Sequence, residues 1–169
     1  SLSLDAGAGQ IDGTTIADVT TLTIVDAEDG AGNAVDFSGA VTATTGISVN
    51  GAGAGASTYV FDGQVTAPVL TTNTGVYALQ LNGGTTVSGG ALTTFDNTGA
   101  LTLGAAGLTS SFAGGLSTTG VGSTVTLNGT VATTGTNLDL GAATLGSAVT
   151  VTTGAGAGDI ATGALTAAS

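Results

Sequence analysis

Apolar and polar residues alternate along this chain in short bursts, and one burst recurs. Leu101-Thr102-Leu103 is an apolar–polar–apolar triplet closed by Gly104. Leu2-Ser3-Leu4, Leu22-Thr23-Ile24, Ile47-Ser48-Val49, Leu79-Gln80-Leu81, Val125-Thr126-Leu127 and Val149-Thr150-Val151 repeat it. The triplets start at 2, 22, 47, 79, 101, 125 and 149, in steps of 20, 25, 32, 22, 24 and 24 residues. A period of roughly 20–50 residues marks stacked units rather than a globule around one centre. Within a triplet the outer side chains share one face and the middle one takes the other, the period-two signature of a strand. The expected fold class is all-β: a parallel β-helix, or β-solenoid, of about seven coils of roughly 20–32 residues, with 1–169 as one solenoid unit. Inward positions on this reading include Leu79, Leu81, Leu101, Leu103, Val125, Leu127, Leu138, Leu140, Val149 and Val151.

A second phrase supplies the corners. Phe37-Ser38-Gly39-Ala40-Val41-Thr42 is echoed by Phe61-Asp62-Gly63-Gln64-Val65-Thr66. Val87-Ser88-Gly89 opens a looser copy with one extra residue, and Phe112-Ala113-Gly114 and Leu127-Asn128-Gly129 open copies that keep the spacing. The phrase reads as a strand end, a turn at the glycine and the start of the next strand. Thr-rich runs closed by glycine follow, such as Thr42-Ala43-Thr44-Thr45-Gly46, and β-branched Thr suits a pleated surface. Pro68 is the only proline and marks a loop or strand end, because it cannot donate to a ladder. The islands Gly51–Gly55 and Gly154–Gly158 read as flexible corners or tight stacking sites.

Composition narrows the partners. There are 31 glycines in 169 residues and few aromatics, which suits closely stacked backbones and argues against helix. The chain has no Lys, Arg or His against 11 carboxylates, so no side-chain salt bridge can form. Phosphate recognition rests on Lys and Arg, so no nucleic acid partner is expected. No apolar run approaches the 18 or so residues of a membrane span, so no transmembrane segment is expected. The chain contains neither Met nor Cys, which suggests a processed chain or a segment of a longer or polymerising structure.

Candidate chemistry is sparse. No base can be set beside the many hydroxyls, and paired carboxylates lack the aromatic and cationic contacts a sugar site wants, so the chain is not expected to be an enzyme. The one metal candidate is an acidic turn: Asp26, Glu28, Asp29 and Asn33, with Asp36 behind, offers hard oxygens of the kind Ca²⁺ takes, or is simply a solvated turn. No other cofactor is expected. Asp5, Asp12 and Asp18 would form an anionic stripe if their coils align, and Asp62, Asp96, Asp139 and Asp159 suit corner caps. T-x-T triplets such as Thr21-Leu22-Thr23, Thr124-Val125-Thr126 and Thr150-Val151-Thr152 suit an ice-binding face only if they share one plane, and otherwise are strand formers.

The run Gly129-Thr130-Val131-Ala132-Thr133-Thr134-Gly135-Thr136-Asn137-Leu138-Asp139-Leu140-Gly141, with Gly154 to Ala161, resembles repeats of the filamentous-haemagglutinin-like and autotransporter-passenger β-helix proteins of bacterial surfaces. The resemblance is one of style, V/L-T-x-x-G and L-x-L-G with little Lys or Arg, over most of residues 34–169. It implies a right-handed parallel β-helix, exported and displayed on the bacterial cell surface as an adhesin or fibrous scaffold. The complete lack of Lys and Arg goes beyond that pattern. The expected function is a structural extracellular building block of a surface fibre, filament or adhesin. Its first partner would be itself, end to end, because a bare end coil leaves backbone groups unpaired. An ice- or glycan-binding module, with a host or surface glycan as partner, is the alternative. A polysaccharide-active enzyme comes third.

Overall fold

The computed structural model describes residues 1–7, 9–26, 32–51 and 57–168. Every regular element among them is a strand, and every strand pairing is parallel. The chain is a β-solenoid with three faces. The first face carries seven rungs, from the start of Ile16–Asp26 through Val41–Gly51, Val65–Ala67, Thr85–Val87, Thr109–Phe112 and Thr130–Thr133 to Thr150–Thr152. The second begins with Leu2–Asp5 and ends with Ile160–Thr162. The third runs from Ile11–Gly13 through Gly32–Phe37, Ser57–Phe61, Tyr77–Leu81, Leu101–Leu103, Val125–Leu127 and Ala143–Leu145 to Leu165–Ala167. Eight rungs at the spacing of neighbouring strands make a prism roughly 35 Å tall. The leading coil contributes only Leu2–Asp5 and Ile11–Gly13, so two of its three sides are present among the described residues.

Partners in successive coils lie between 18 residues apart, as in Val125↔Ala143, and 25 apart, as in Thr85↔Ser110. The 32-residue step between the triplets at 47 and 79 is therefore a change of face. Leu2, Leu22 and Ile47 align on the second face, Leu79, Leu101 and Val125 on the third, and Val151 pairs with Val131 on the first. One coil beyond Ile47 the second face continues at Leu70, where the apolar–polar–apolar signature is lost because Thr72 stands opposite Val49. The corner phrase also marks two different corners. Phe37 and Phe61 end strands of the third face, while Val87 and Phe112 end strands of the first.

Pro68 decides where the first two faces part. In the early coils they form one long bent strand, Ile16–Asp26 or Val41–Gly51. At Pro68 that path breaks into Val65–Ala67 and Leu70–Thr72, both paired to Val41–Gly51. A residue without an N–H cannot hold the ladder through that point. From there the second face is a separate sheet, starting at Thr93–Thr94 and running through Leu116–Ser117 and Leu138–Leu140 to Ile160–Thr162.

The core is a set of columns along the axis. Leu79, Leu81, Leu101, Leu103, Val125, Leu127, Leu138 and Leu140 are buried, as their alternation requires. Val149 and Val151, in the last coil, are half-buried against the same core. Phe37 stacks on Phe61 at 5.6 Å, and Phe95 meets Phe112 edge-on at 6.1 Å, joining the second face to the first across the interior. Such pairs add about 0.5–1.5 kcal/mol beyond the area they bury. Among the described residues three buried oxygens lack hydrogen-bond partners: Thr85 Oγ1, Asn97 Oδ1 and Ser110 Oγ. Thr85 and Ser110 are ladder neighbours, so two of these costs fall in adjacent rungs.

Close stacking also explains the corner glycines. A Cβ on Gly63 would sit 2.1 Å from the carbonyl carbon of Gly39, and one on Gly83 would sit 2.2 Å from that of Gly63. The Gly154–Gly158 island is likewise a tight stacking site: a Cβ on Gly156 would lie 2.4 Å from the Cα of Gly135. Of the other island only Gly51 lies within the described residues. Forcing the coils apart costs about 1–3 kcal/mol, as overpacking does elsewhere. Gly63→Ala is therefore expected to lower the melting temperature by several degrees, measured by circular dichroism; an unchanged Tm would contradict the corner packing.

Candidate functional site

The outward side chains form rows, because the strands stack in register. On the third face the row is Asp12, Asp36, Val60, Gln80, Thr102, Thr126, Thr144 and Thr166. It starts acidic and ends in hydroxyls, and the last two, Thr144 and Thr166, lie 3.4 Å apart. On the first face Thr42, Thr66, Thr86 and Ser111 align. On the first face a second outward file, Thr109, Thr130 and Thr150, runs beside it in the later coils. The T-x-T triplets do not share a plane. Thr124-Val125-Thr126 belongs to the third face, Thr150-Val151-Thr152 to the first and Thr21-Leu22-Thr23 to the long bent strand.

The acidic residues are placed differently from the expected stripe. Asp12 aligns with Asp36, Asp5 with Val25, and Asp18 sits in an irregular stretch of its strand at φ +54°. The three do not share a row, because Asp5 and Asp12 lie on different faces. Of the calcium candidates, Asp26 ends the strand Ile16–Asp26, Asn33 lies near the start of Gly32–Phe37, and Asp36 points outward beside Asp12. Glu28 and Asp29 lie outside the described residues. Among the described residues no three carboxylates converge on one point.

The corners are bridged by asparagine more than by aspartate. Asn73 is held on both sides of its amide: Gly51 N–H donates to its Oδ1, and its Nδ2 donates to the Gly51 carbonyl at 2.9 Å. Asn128 Oδ1 accepts from Ser147 N–H, and Asn137 Oδ1 accepts from Asp159 N–H. Buried Asn97 donates to the Tyr77 carbonyl. All four join one coil to the next, a relation invisible until the register is known. Asp139 is mid-strand, between Ser117 and Ala161, and is no corner cap. Asp62 accepts from Asn82 of the next coil, and the carboxylate that closes a local turn is Asp5, which accepts from Gly7 N–H.

The Tyr77 phenol is strongly perturbed. Its ring is buried and meets Tyr59 edge-on at 4.9 Å, and its hydroxyl donates to the Val49 carbonyl at 3.1 Å. Burial pushes its pKa from 10.0 up to about 12; hydrogen bonds from Asn73 and Thr72 pull the other way, and Asp96 adds to the rise. Beside it, a corner cleft of about 240 Å³ opens between the fourth and fifth coils, where the second-face ladder is interrupted. Val69, Leu92, Thr94 and Asp96 are among its walls.

These features define the class: a parallel β-solenoid repeat protein whose distinguishing surfaces are its outward rows. At the far end Ile160 and Leu165 remain 46% and 44% exposed, although they continue buried columns. No helix is long and apolar enough to cross a membrane among the described residues. No protein-family model, curated protein or solved structure matches the chain. The likeness to haemagglutinin-type repeats therefore rests on repeat style and solenoid architecture.

Tyr77 sets an alkaline limit on the fold. The folded chain holds it as a neutral phenol, while the unfolded chain ionises it near pH 10. Stability from this group is therefore full below pH 10 and is lost as pH rises through about 12. Melting across that window, with phenolate absorbance as a second signal, should show the loss, and Tyr77→Phe should weaken the dependence while costing about 1 kcal/mol in lost hydrogen bonds. For the acidic turn, the solvated reading predicts the same Tm with Ca²⁺ or with chelator; a rise with Ca²⁺ would establish an ion there.

Proposed function

We propose that this chain is a structural building block of an extracellular bacterial surface fibre, filament or adhesin, without a catalytic role. The observation that carries the reading is the continuity of the third-face columns, apolar inside and in register outside, through eight stacked strands. Such a prism transmits load along its axis through parallel backbone ladders, and each coil depends mainly on its neighbours. The absence of Lys and Arg leaves no trypsin site, which suits an exposed setting. The charge of −11 keeps separate fibres apart at low ionic strength.

A glycan- or ice-binding module is the second reading, favoured by the hydroxyl file Thr102, Thr126, Thr144 and Thr166. Thermal hysteresis or glycan-array binding would support it.

Immunogold labelling of intact producing cells tests the first reading. Label along filaments or a surface layer is the expected result, and label confined to the cell interior or to isolated blunt particles would overturn it.

A further inference from the structure

Three asparagines of this chain are followed directly by glycine: Asn50-Gly51, Asn82-Gly83 and Asn128-Gly129. The dipeptide is chemically labile, because glycine leaves its backbone nitrogen unhindered and free to rotate. That nitrogen attacks the asparagine Cγ. An N–Cγ bond forms, the Cγ–Nδ2 bond breaks, and ammonia leaves with the proton of the backbone N–H. Water then opens the cyclic imide at one of its two carbonyls. Opening at Cγ leaves aspartate, and opening at the backbone carbonyl leaves isoaspartate, whose main chain runs through Cβ. Both products carry a carboxylate where the amide stood.

The fold closes all three sites in the same way. Each lies at the end of a strand: Val41–Gly51, Tyr77–Leu81 or Val125–Leu127. Each glycine N–H donates to an acceptor on an adjacent coil. Gly51 donates to Asn73 Oδ1 at 3.1 Å, Gly83 to the Phe61 carbonyl at 3.1 Å and Gly129 to the Ser147 carbonyl at 3.1 Å. The asparagine amides are held as well. Asn50 Nδ2 donates to Ser48 Oγ at 3.1 Å, Asn82 Nδ2 to Asp62 Oδ1 at 2.9 Å and Asn128 Nδ2 to the Gly104 carbonyl at 3.4 Å. An N–H engaged by the adjacent coil is neither free to turn toward Cγ nor ready to give up its proton.

We propose that Asn50, Asn82 and Asn128 are latent sites of spontaneous, irreversible conversion to aspartate and isoaspartate, closed while adjacent coils stay stacked and opened when they part. The lock belongs to the coil stacking itself and does not depend on what the solenoid builds. The products oppose restacking. At Asn82 a carboxylate replaces the amide that donates to Asp62, so two like charges face each other across one corner, and the chain has no Lys, Arg or His to offset them. Isoaspartate adds a main-chain carbon to a rung whose register is fixed by its buried face. A coil that stays open long enough to react is thereby marked, and the mark records the opening.

The test follows conversion at mildly alkaline pH in folded wild-type chain and in the same chain unfolded in guanidinium chloride. Intact mass reads each conversion as a gain of one mass unit, and fragment spectra locate it. The unfolded chain should convert at all three asparagines, and the folded chain many-fold more slowly at each. Asn73→Ala removes the acceptor of the Gly51 N–H, so Asn50 should convert several-fold faster while Asn82 and Asn128 stay slow. Asn73→Asp keeps an oxygen for that N–H but loses the donor to the Gly51 carbonyl, and should leave Asn50 slow. Equal rates in folded and unfolded chain, or an Asn73→Ala chain whose Asn50 is no faster than in wild type, would overturn the proposal. If Asn73→Ala speeds all three sites alike, that variant has lost its fold, and the wild-type comparison decides.

Discussion

Everything in this molecule hangs on one relation: each strand lies parallel and in register on the strand one coil before it. That relation turns a short alternating triplet into an axial column, because inward residues stack on inward residues and outward on outward. A slip of one residue would turn the apolar side of a strand outward, so the columns themselves pin the register. Leu101 between Leu79 and Val125, and Leu103 between Leu81 and Leu127, show the effect. With no salt bridge available to the side chains, the fold relies on these columns and on backbone ladders.

The same relation explains the small residues. Rungs separated by the spacing of neighbouring strands leave no room for a side chain wherever a corner doubles back on the corner below. Gly39, Gly63 and Gly83 occupy such a place. It also explains the asparagines. An amide carries both a donor and an acceptor, so Asn73 satisfies the N–H and the carbonyl of Gly51 at once, which a carboxylate cannot do. Polar specificity here lies between coils, where a globular enzyme would concentrate it in a pocket.

The fold class was legible from the chain because strand alternation and repeat length are local properties. The assignment of triplets to faces was not. Ile47-Ser48-Val49 and Leu79-Gln80-Leu81 both read apolar–polar–apolar, yet they lie on different sides of the prism. Rungs that turn threonine inward, such as Thr93–Thr94, carry no apolar signature at all. The surface was less legible still. Asp12 and Asp36 lie 24 positions apart and meet only because their coils align. Tyr77 gave no local sign of its burial, which depends on residues from the preceding coil such as Val49.

On the second face no strand pairing joins Leu70–Thr72 to Thr93–Thr94 one coil later, while the first and third faces run on unbroken through that level. Two successive coils are therefore held there by ladders on two sides only. Bending stiffness at that level is lower than elsewhere along the prism, and the easy direction of bending is fixed by the side whose ladder is interrupted.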